Sequence, residues 1–221
     1  MRFLLSSLNK KRSQSREATI SIVKYALNEV YDTLNEEEKL KLLSTLIEIT
    51  EGRIFVEFEF SVAIRRLTEI HIQSGNINEA AKCIQDIQIE TFGSLERGYK
   101  VEYILFQMKI LLMKEDYIRV MIVSNKINKR HLNEEGLEKL KFEFFELMIR
   151  YYTHEEKFID ASKSFKILYD SIKEFKIKLE NNSSNAISQK SLINIPHLVN
   201  NVSKNKLFVN YVMFLSICPP E

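Results

Sequence analysis

Val101-Glu102-Tyr103-Ile104-Leu105-Phe106-Gln107-Met108-Lys109-Ile110-Leu111-Leu112 is the stretch that decides the fold. Its residues Val101, Ile104, Leu105, Met108, Leu111 and Leu112 recur at offsets of three and four, which lays them on one face of a helix with about 3.6 residues per turn. After a short polar break comes Asp116, whose carboxylate can accept hydrogen bonds from the first amides of a new helix. Tyr117, Val120 and Ile127 continue that second helix in helical period. A long helix, a tight break and a shorter capped helix read as one antiparallel hairpin.

The same arrangement recurs on either side. Upstream, Phe60, Ala63, Ile64, Leu67 and Ile70 form a stripe that ends at Gly75, and a second helix follows with Ala80, Ala81, Ile84 and Ile87, which Gly93 is expected to stop. Downstream, Leu137, Leu140, Phe144, Leu147 and Tyr151 form a stripe with Asn133 as its expected cap, and Phe158, Ala161, Phe165, Leu168 and Tyr169 mark its partner. Ser94 is expected to cap the helix that carries Val101. Aligned by the starts of the shorter helices, Ile77, Tyr117 and Phe158 correspond, and so do Ala80, Val120 and Ala161. Steps of about 40 residues with two helices per unit are the arithmetic of a helical solenoid. The large residue would plug the hairpin end, and the small one a turn later would let the two helices approach. Val120 fits the small role less well than alanine, and Ser124 breaks an otherwise apolar register shared with Ile84 and Phe165.

Nearer the N-terminus, Ile20, Val23, Ala26, Val30 and Leu34 predict one helix over 16–34. Asn35 with Glu38 has capping-box spacing, and Glu36, Glu37 and Glu38 meet the positive end of the helix dipole. Leu40, Leu43 and Ile47 carry that helix to Gly52, a candidate left-handed C-terminal cap. Toward the other end, residues 180–194 are polar and without period and read as a loop; Leu207 to Cys218 resumes an apolar helix before Pro219-Pro220. The expected organisation is therefore residues 1–53 capping the array, 54–173 as three helix pairs, 174–203 as a polar flexible loop and 204–221 as a truncated terminal helix. The fold class expected is all-α, a right-handed solenoid of stacked antiparallel helix pairs.

Composition supports this and excludes much else. Glycine occurs five times and proline three times, with no proline before Pro196, so little breaks helices and little serves β-turns. The balance of 32 basic to 30 acidic side chains, with the signs interspersed, describes solvated helix faces and not a nucleic-acid footprint. Phe3-Leu4-Leu5 is too short for a secretory core, and Leu207 to Cys218 falls short of a membrane span, so a soluble intracellular chain is expected. Cys83 and Cys218 make no metal or redox spacing, and Cys83 reads as a buried small hydrophobe in a reducing compartment.

Catalytic readings fail one by one. His154-Glu155-Glu156 lacks the second histidine of a zinc-binding helix, and Gly93 and Gly98 are not followed by the lysine of a phosphate loop. No catalytic residue, cofactor or metal site is expected. Lys10-Lys11-Arg12, near the terminus, and Lys129-Arg130, near a helix end where basic side chains complement the dipole, are short basic clusters that could touch phosphate or an acidic partner. Phe142, Phe144, Phe145, Tyr151 and Tyr152 read as core and not as a platform for bases, with Phe142 off the main stripe and turned to a neighbour.

Four motifs then carry a resemblance: Thr50-Glu51-Gly52-Arg53-Ile54-Phe55-Val56-Glu57, Gly75-Asn76-Ile77-Asn78-Glu79-Ala80-Ala81, Gln88-Ile89-Glu90-Thr91-Phe92-Gly93-Ser94, and Asp116-Tyr117-Ile118-Arg119 with Ser124-Asn125-Lys126-Ile127-Asn128. In this order and spacing, over about Leu43 to Tyr169, the chain resembles the p55 lid-subunit family of the 26S proteasome, a PCI family. The resemblance implies TPR-like, PCI-associated repeats and a non-catalytic scaffold in the cytoplasm and nucleus. It also implies other lid subunits as partners, including PCI subunits and the deubiquitinase subunit, and no nucleic acid or membrane. A paralogous subunit family of the COP9 signalosome is the alternative, and an RNA-binding helical-repeat protein is the rival of another class. Against the family, the chain is expected to stop before further repeats and the PCI domain. That leaves Leu207 to Cys218 uncovered, and self-association through it is expected.

Overall fold

The computed structural model describes residues 16–134 and 136–181, with side chains described as far as Lys173. The Asn/Ser-rich stretch beyond Asn181, the Leu207–Cys218 segment and Lys10-Lys11-Arg12 lie outside the described residues. Within them the fold is all-α, with eight α-helices and no strand. They are α1 (Arg16–Tyr25), α2 (Glu36–Thr50), α3 (Glu57–Gln73), α4 (Ile77–Gln85), α5 (Arg97–Met113), α6 (Tyr117–Ser124), α7 (Glu138–His154) and α8 (Phe158–Asn181). The chain divides into two compact units, residues 1–126 with α1 to α6 and residues 127–221 with α7 and α8.

In the first unit each helix from α2 to α6 packs on the next in the chain. Polar clamps tie alternate helices as well. Between α3 and α5, Ser61 Oγ and the Tyr99 hydroxyl share a 2.8 Å hydrogen bond, and Arg65 Nη1 donates to Glu102 Oε1 at 2.8 Å while its guanidinium lies 5.0 Å from the Phe106 ring centre. Between α4 and α6, Arg119 donates to the side-chain oxygen of Gln85. Stacking of like on like is what two-helix repeats do to bury a face that a single pair leaves open. Behind the first pair, Val23, Ala26 and Leu27 join Leu42, Leu43, Leu46, Ile49 and Ala63 in one core.

The helix expected over 16–34 is not continuous. After Tyr25 it widens into a π-helical turn, Ala26–Val30, and then tightens into a 3-10 turn, Tyr31–Thr33. Such a widening frees carbonyls from the regular ladder, and Arg66 takes one of them, donating to the Leu27 oxygen at 2.5 Å with its guanidinium 4.5 Å from the Tyr31 ring centre. The capping box at Asn35 is present, with Glu38 N donating to Asn35 Oδ1 at 2.9 Å and Asn35 N to Glu38 Oε2 at 3.2 Å.

The three hairpins share a backbone plan. Helices α3, α5 and α7 are each 17 residues long. Gly75, Glu115 and Glu156 follow them, with φ of +76°, +62° and +57°. The next amide in each case reaches back five residues, Asn76 to the His71 carbonyl, Asp116 to Leu111 and Lys157 to Tyr152, at 2.8, 2.9 and 2.9 Å. A left-handed residue with this long return bond closes a helix by capping its last carbonyls. The following helices then start at Ile77, Tyr117 and Phe158.

Several local expectations need correction. Gly93 does not stop α4, which ends at Gln85 ahead of a 3-10 turn at Ile89–Thr91. Ser94 does not cap α5, whose N-cap is Glu96; its hydroxyl and amide are bound elsewhere. Asn133 closes a 3-10 turn, and α7 starts only at Glu138. The last helix does not give way to loop at 174 but runs to Asn181, through a Lys-Glu-Phe-Lys-Ile-Lys-Leu-Glu run of mostly good helix formers.

Candidate interaction cleft

Two of the motifs quoted above come together in space. The first forms the turn after α2: Gly52 takes φ of +71°, Arg53 N bonds back to the Thr50 carbonyl at 3.1 Å, and Ile54–Val56 make a 3-10 turn that leads into α3. The other forms the turn after α4, where Asp86, Ile87 and Gln88 lead into the 3-10 turn Ile89–Thr91 and then Phe92. Between them lies a cleft of about 360 Å³.

Each wall is fastened. Glu57 accepts from Ser94 Oγ at 2.7 Å and from Ser94 N at 3.2 Å, which joins the two turns directly. Phe60 and Phe92 meet at 6.1 Å between ring centres at the cleft floor. From behind, the Gln107 amide donates to the carbonyls of Ile84 and Ile87 at 2.8 and 2.9 Å. Glu90 is held by Lys126 at 2.8 Å. A rigid, partly apolar hollow with acidic Glu51, Glu57 and Asp86 set against one cation, Arg53, is suited to binding. Ile54, beside it, is 71% exposed.

The second unit carries a groove of opposite sign between α7 and α8, about 400 Å³, floored by Phe144, Phe145, Met148 and Ile167 and edged by Lys129, Lys141 and Lys163. Phe144 and Phe145 are buried, which fits their reading as core, and Phe142 is half-buried. Neither hollow offers a nucleophile with a base, and among the described residues no group of three or more His, Cys, Asp or Glu side chains is placed to hold a metal ion. No helix among them is long and apolar enough to cross a membrane.

The repeat positions read from the sequence fall as follows. Ala80, Val120 and Ala161 are fully buried, whereas Ile77, Tyr117 and Phe158 at the helix starts are half-exposed and only partly plug the hairpin ends. Cys83 is half-buried, and burial pushes its thiol up, with Glu79 adding to the effect. Sequence reasoning missed Gln107, Arg65 and the Glu57–Ser94 tie. In each case a polar side chain bonds to a partner 20 or more positions away, and no local period signals that bond.

The two turns that frame the cleft sit inside a family model described as PSMD12/CSN4, N-terminal, which matches residues 1–175. The chain belongs to this family. It is 36% identical over 163 residues to the 26S proteasome non-ATPase regulatory subunit 12 of Dictyostelium discoideum, covering 74% of this chain and 36% of that protein. It is 34% identical over 193 residues to 26S proteasome non-ATPase regulatory subunit 12 homolog A of Arabidopsis thaliana, with 76% and 44% covered. The 26S proteasome regulatory subunit RPN5 of Saccharomyces cerevisiae is 30% identical over 177 residues, with 76% and 39% covered. The chain thus spans 36% to 44% of the length of these relatives. The family model spans both PSMD12 and CSN4, but the relatives just described carry the proteasome name.

Proposed function

We propose that this chain is a non-catalytic structural segment of the lid of the 26S proteasome regulatory particle, serving ubiquitin-dependent protein degradation in cytoplasm and nucleus. Its helix faces would contact other lid subunits, among them PCI subunits and the deubiquitinase subunit. The observation that carries this reading is the likeness, over about three-quarters of the chain, to proteins named as proteasome regulatory subunits, two of them as non-ATPase. The architecture supports it, because clamped helix pairs supply extended faces and fixed hollows. A right-handed array with a period of about 40 is part of the proposal. The turns at Gly75, Glu115 and Glu156, spaced 40 and 41 residues apart, support the period. So is the division into N-terminal capping helices over 1–53 followed by three hairpins.

Affinity capture of the full chain from cells, with co-purifying proteins identified by mass spectrometry, tests the reading. Recovery of proteasome regulatory-particle subunits is expected. Recovery of signalosome subunits without them overturns it.

A further inference from the structure

The acidic cleft of the first unit breaks a rule of helix electrostatics twice. Glu51 caps the C-terminal end of α2 and Asp86 that of α4, and both are exposed residues of the cleft lining. A helix C-terminus carries partial negative charge and favours a cation, so each carboxylate is set against its own helix. Neither helix offsets this locally. The last turn of α2 has no basic residue, and Lys82 in the last turn of α4 is paired with Glu79 at 2.6 Å. Arg53 is the one cation in the cleft lining, against Glu51, Glu57 and Asp86. Residue choices that oppose local preference concentrate at functional sites. Here a cation from outside would relieve both helix ends at once.

The rest of the cleft suits an apolar side chain. Phe60 and Phe92 form its floor, and Ile54 stands exposed beside them. The Glu57–Ser94 tie and the Gln107 clip already hold the walls, so little ordering is left to be done on binding. Its volume of about 360 Å³ is near the lower end for ligand clefts, about 300–1,000 Å³, and fits a few residues of extended chain better than the face of a helix. We infer that this cleft captures an extended segment of a partner protein in which a large apolar side chain is flanked by lysine or arginine. The apolar side chain would lodge against Phe60, Phe92 and Ile54, and the flanking cations would meet Glu51 and Asp86 at the rim. This inference stands on the cleft and does not depend on the proteasome reading.

Direct titration with defined peptides tests it. The chain contains no tryptophan, so a short peptide with tryptophan between two lysines, flanked by glycine and serine, reports its own burial through indole fluorescence. At low salt the full chain should bind it about tenfold more tightly than the same peptide with glutamate in place of lysine, and the gap should close as salt is raised. The Glu51→Lys/Asp86→Lys chain should reverse that preference, a gain for the acidic peptide that misfolding would not produce. Lysine suits a helix C-terminus, so helicity by circular dichroism should be unchanged in that variant. As a competitor, the lysine peptide with alanine in place of tryptophan should be about tenfold weaker, because the apolar anchor is gone. Failure of the tryptophan–lysine peptide to bind at about 1 mM overturns the inference. So does a preference that charge reversal leaves unaltered. A photo-crosslinker in place of Ile54 identifies the occupant: attachment to the peptide supports the inference, and a covalent dimer assigns the cleft to a second copy instead. Attachment to neither overturns it.

Discussion

The second hairpin, α5 with α6, and the third, α7 with α8, use one backbone plan with different chemistry. Tyr103 and Phe144 occupy the same place on their 17-residue helices, each the seventh residue, and both are fully buried. Phe144 packs edge-on against Phe145 at 5.2 Å. Tyr103 instead carries a hydroxyl with no hydrogen-bond partner among the described residues. The start of the short helix differs too: Asp116 Oδ1 accepts from Arg119 N at 3.3 Å, whereas the third hairpin has Lys157 at that position. The first hairpin has Asn76 there, with no side-chain cap. What is held constant is the turn geometry and the full burial of the residue a turn later, Ala80, Val120 or Ala161. Side chains around them vary as long as volume and polarity are absorbed locally.

Enlarging the constant position should break the plan most severely. Ala80→Leu and Ala161→Leu are each expected to cost about 1–3 kcal/mol, because a fully packed contact must open. Denaturation midpoints of the full chain measure this, and unchanged midpoints would mean that the small residue is not what sets helix approach.

Exchanging the aromatic pair sharpens the comparison next. Phe144→Tyr should lose about 1–3 kcal/mol by burying a hydroxyl that has no prepared partner. The reverse change, Tyr103→Phe, should leave the midpoint where it is or raise it. A large loss from Tyr103→Phe would show that the hydroxyl is satisfied after all.

The same phenol predicts alkaline behaviour. Burial pushes Tyr103 far above its ordinary value, and burial also raises Tyr99, partly offset by its Ser61 hydrogen bond. These groups fold in their neutral, protonated form, so their contribution is intact below the unfolded value near 10 and is lost as pH rises above it. Stability should therefore fall steeply above about pH 10 and less steeply in Tyr103→Phe, as denaturant titrations across that range would show.

Smaller effects belong to the turns. An added Cβ at Gly75 meets nothing within 4 Å, so Gly75→Ala should cost only the left-handed backbone, about 1 kcal/mol. Glu115→Gly and Glu156→Gly should gain a comparable amount, seen as a higher Tm. At the helix starts, Asp116→Ala should cost about 1 kcal/mol and Asn76→Ala only a few tenths, since only Asp116 makes the capping bond. Equal losses at the two positions would sink the argument from the cap.

Much of this was legible in the sequence. The stripe from Val101 to Leu112, the Asn35 capping box, the Asp116 cap, the left-handed Gly52 and the helix end at Gly75 follow from local period and chemistry, which act within a few residues. Boundaries set by distant contacts were not legible. Ser94 looked like a cap because serine caps helices, but Glu57, 37 residues earlier, claims its hydroxyl. The π-helical turn at Ala26–Val30 is matched to Arg66, which no local pattern links to it. Glu115 and Glu156 hide the repeated turn because glycine would have announced it. The cleft was legible only in pieces, as two motifs whose meeting depends on the hairpin between them.

The clip made by Gln107 reaches into how this array would come apart. A nine-residue helix such as α4 ordinarily frays at its end, and its last amides exchange with solvent on their own. Here the carbonyls of Ile84 and Ile87 are held by a side chain that belongs to the middle of α5. The end of one hairpin can then loosen only when the core of the next gives way. Under tension or in hydrogen exchange, α4 and α5 should open in a single step, and the seam of independent motion should fall between other helices.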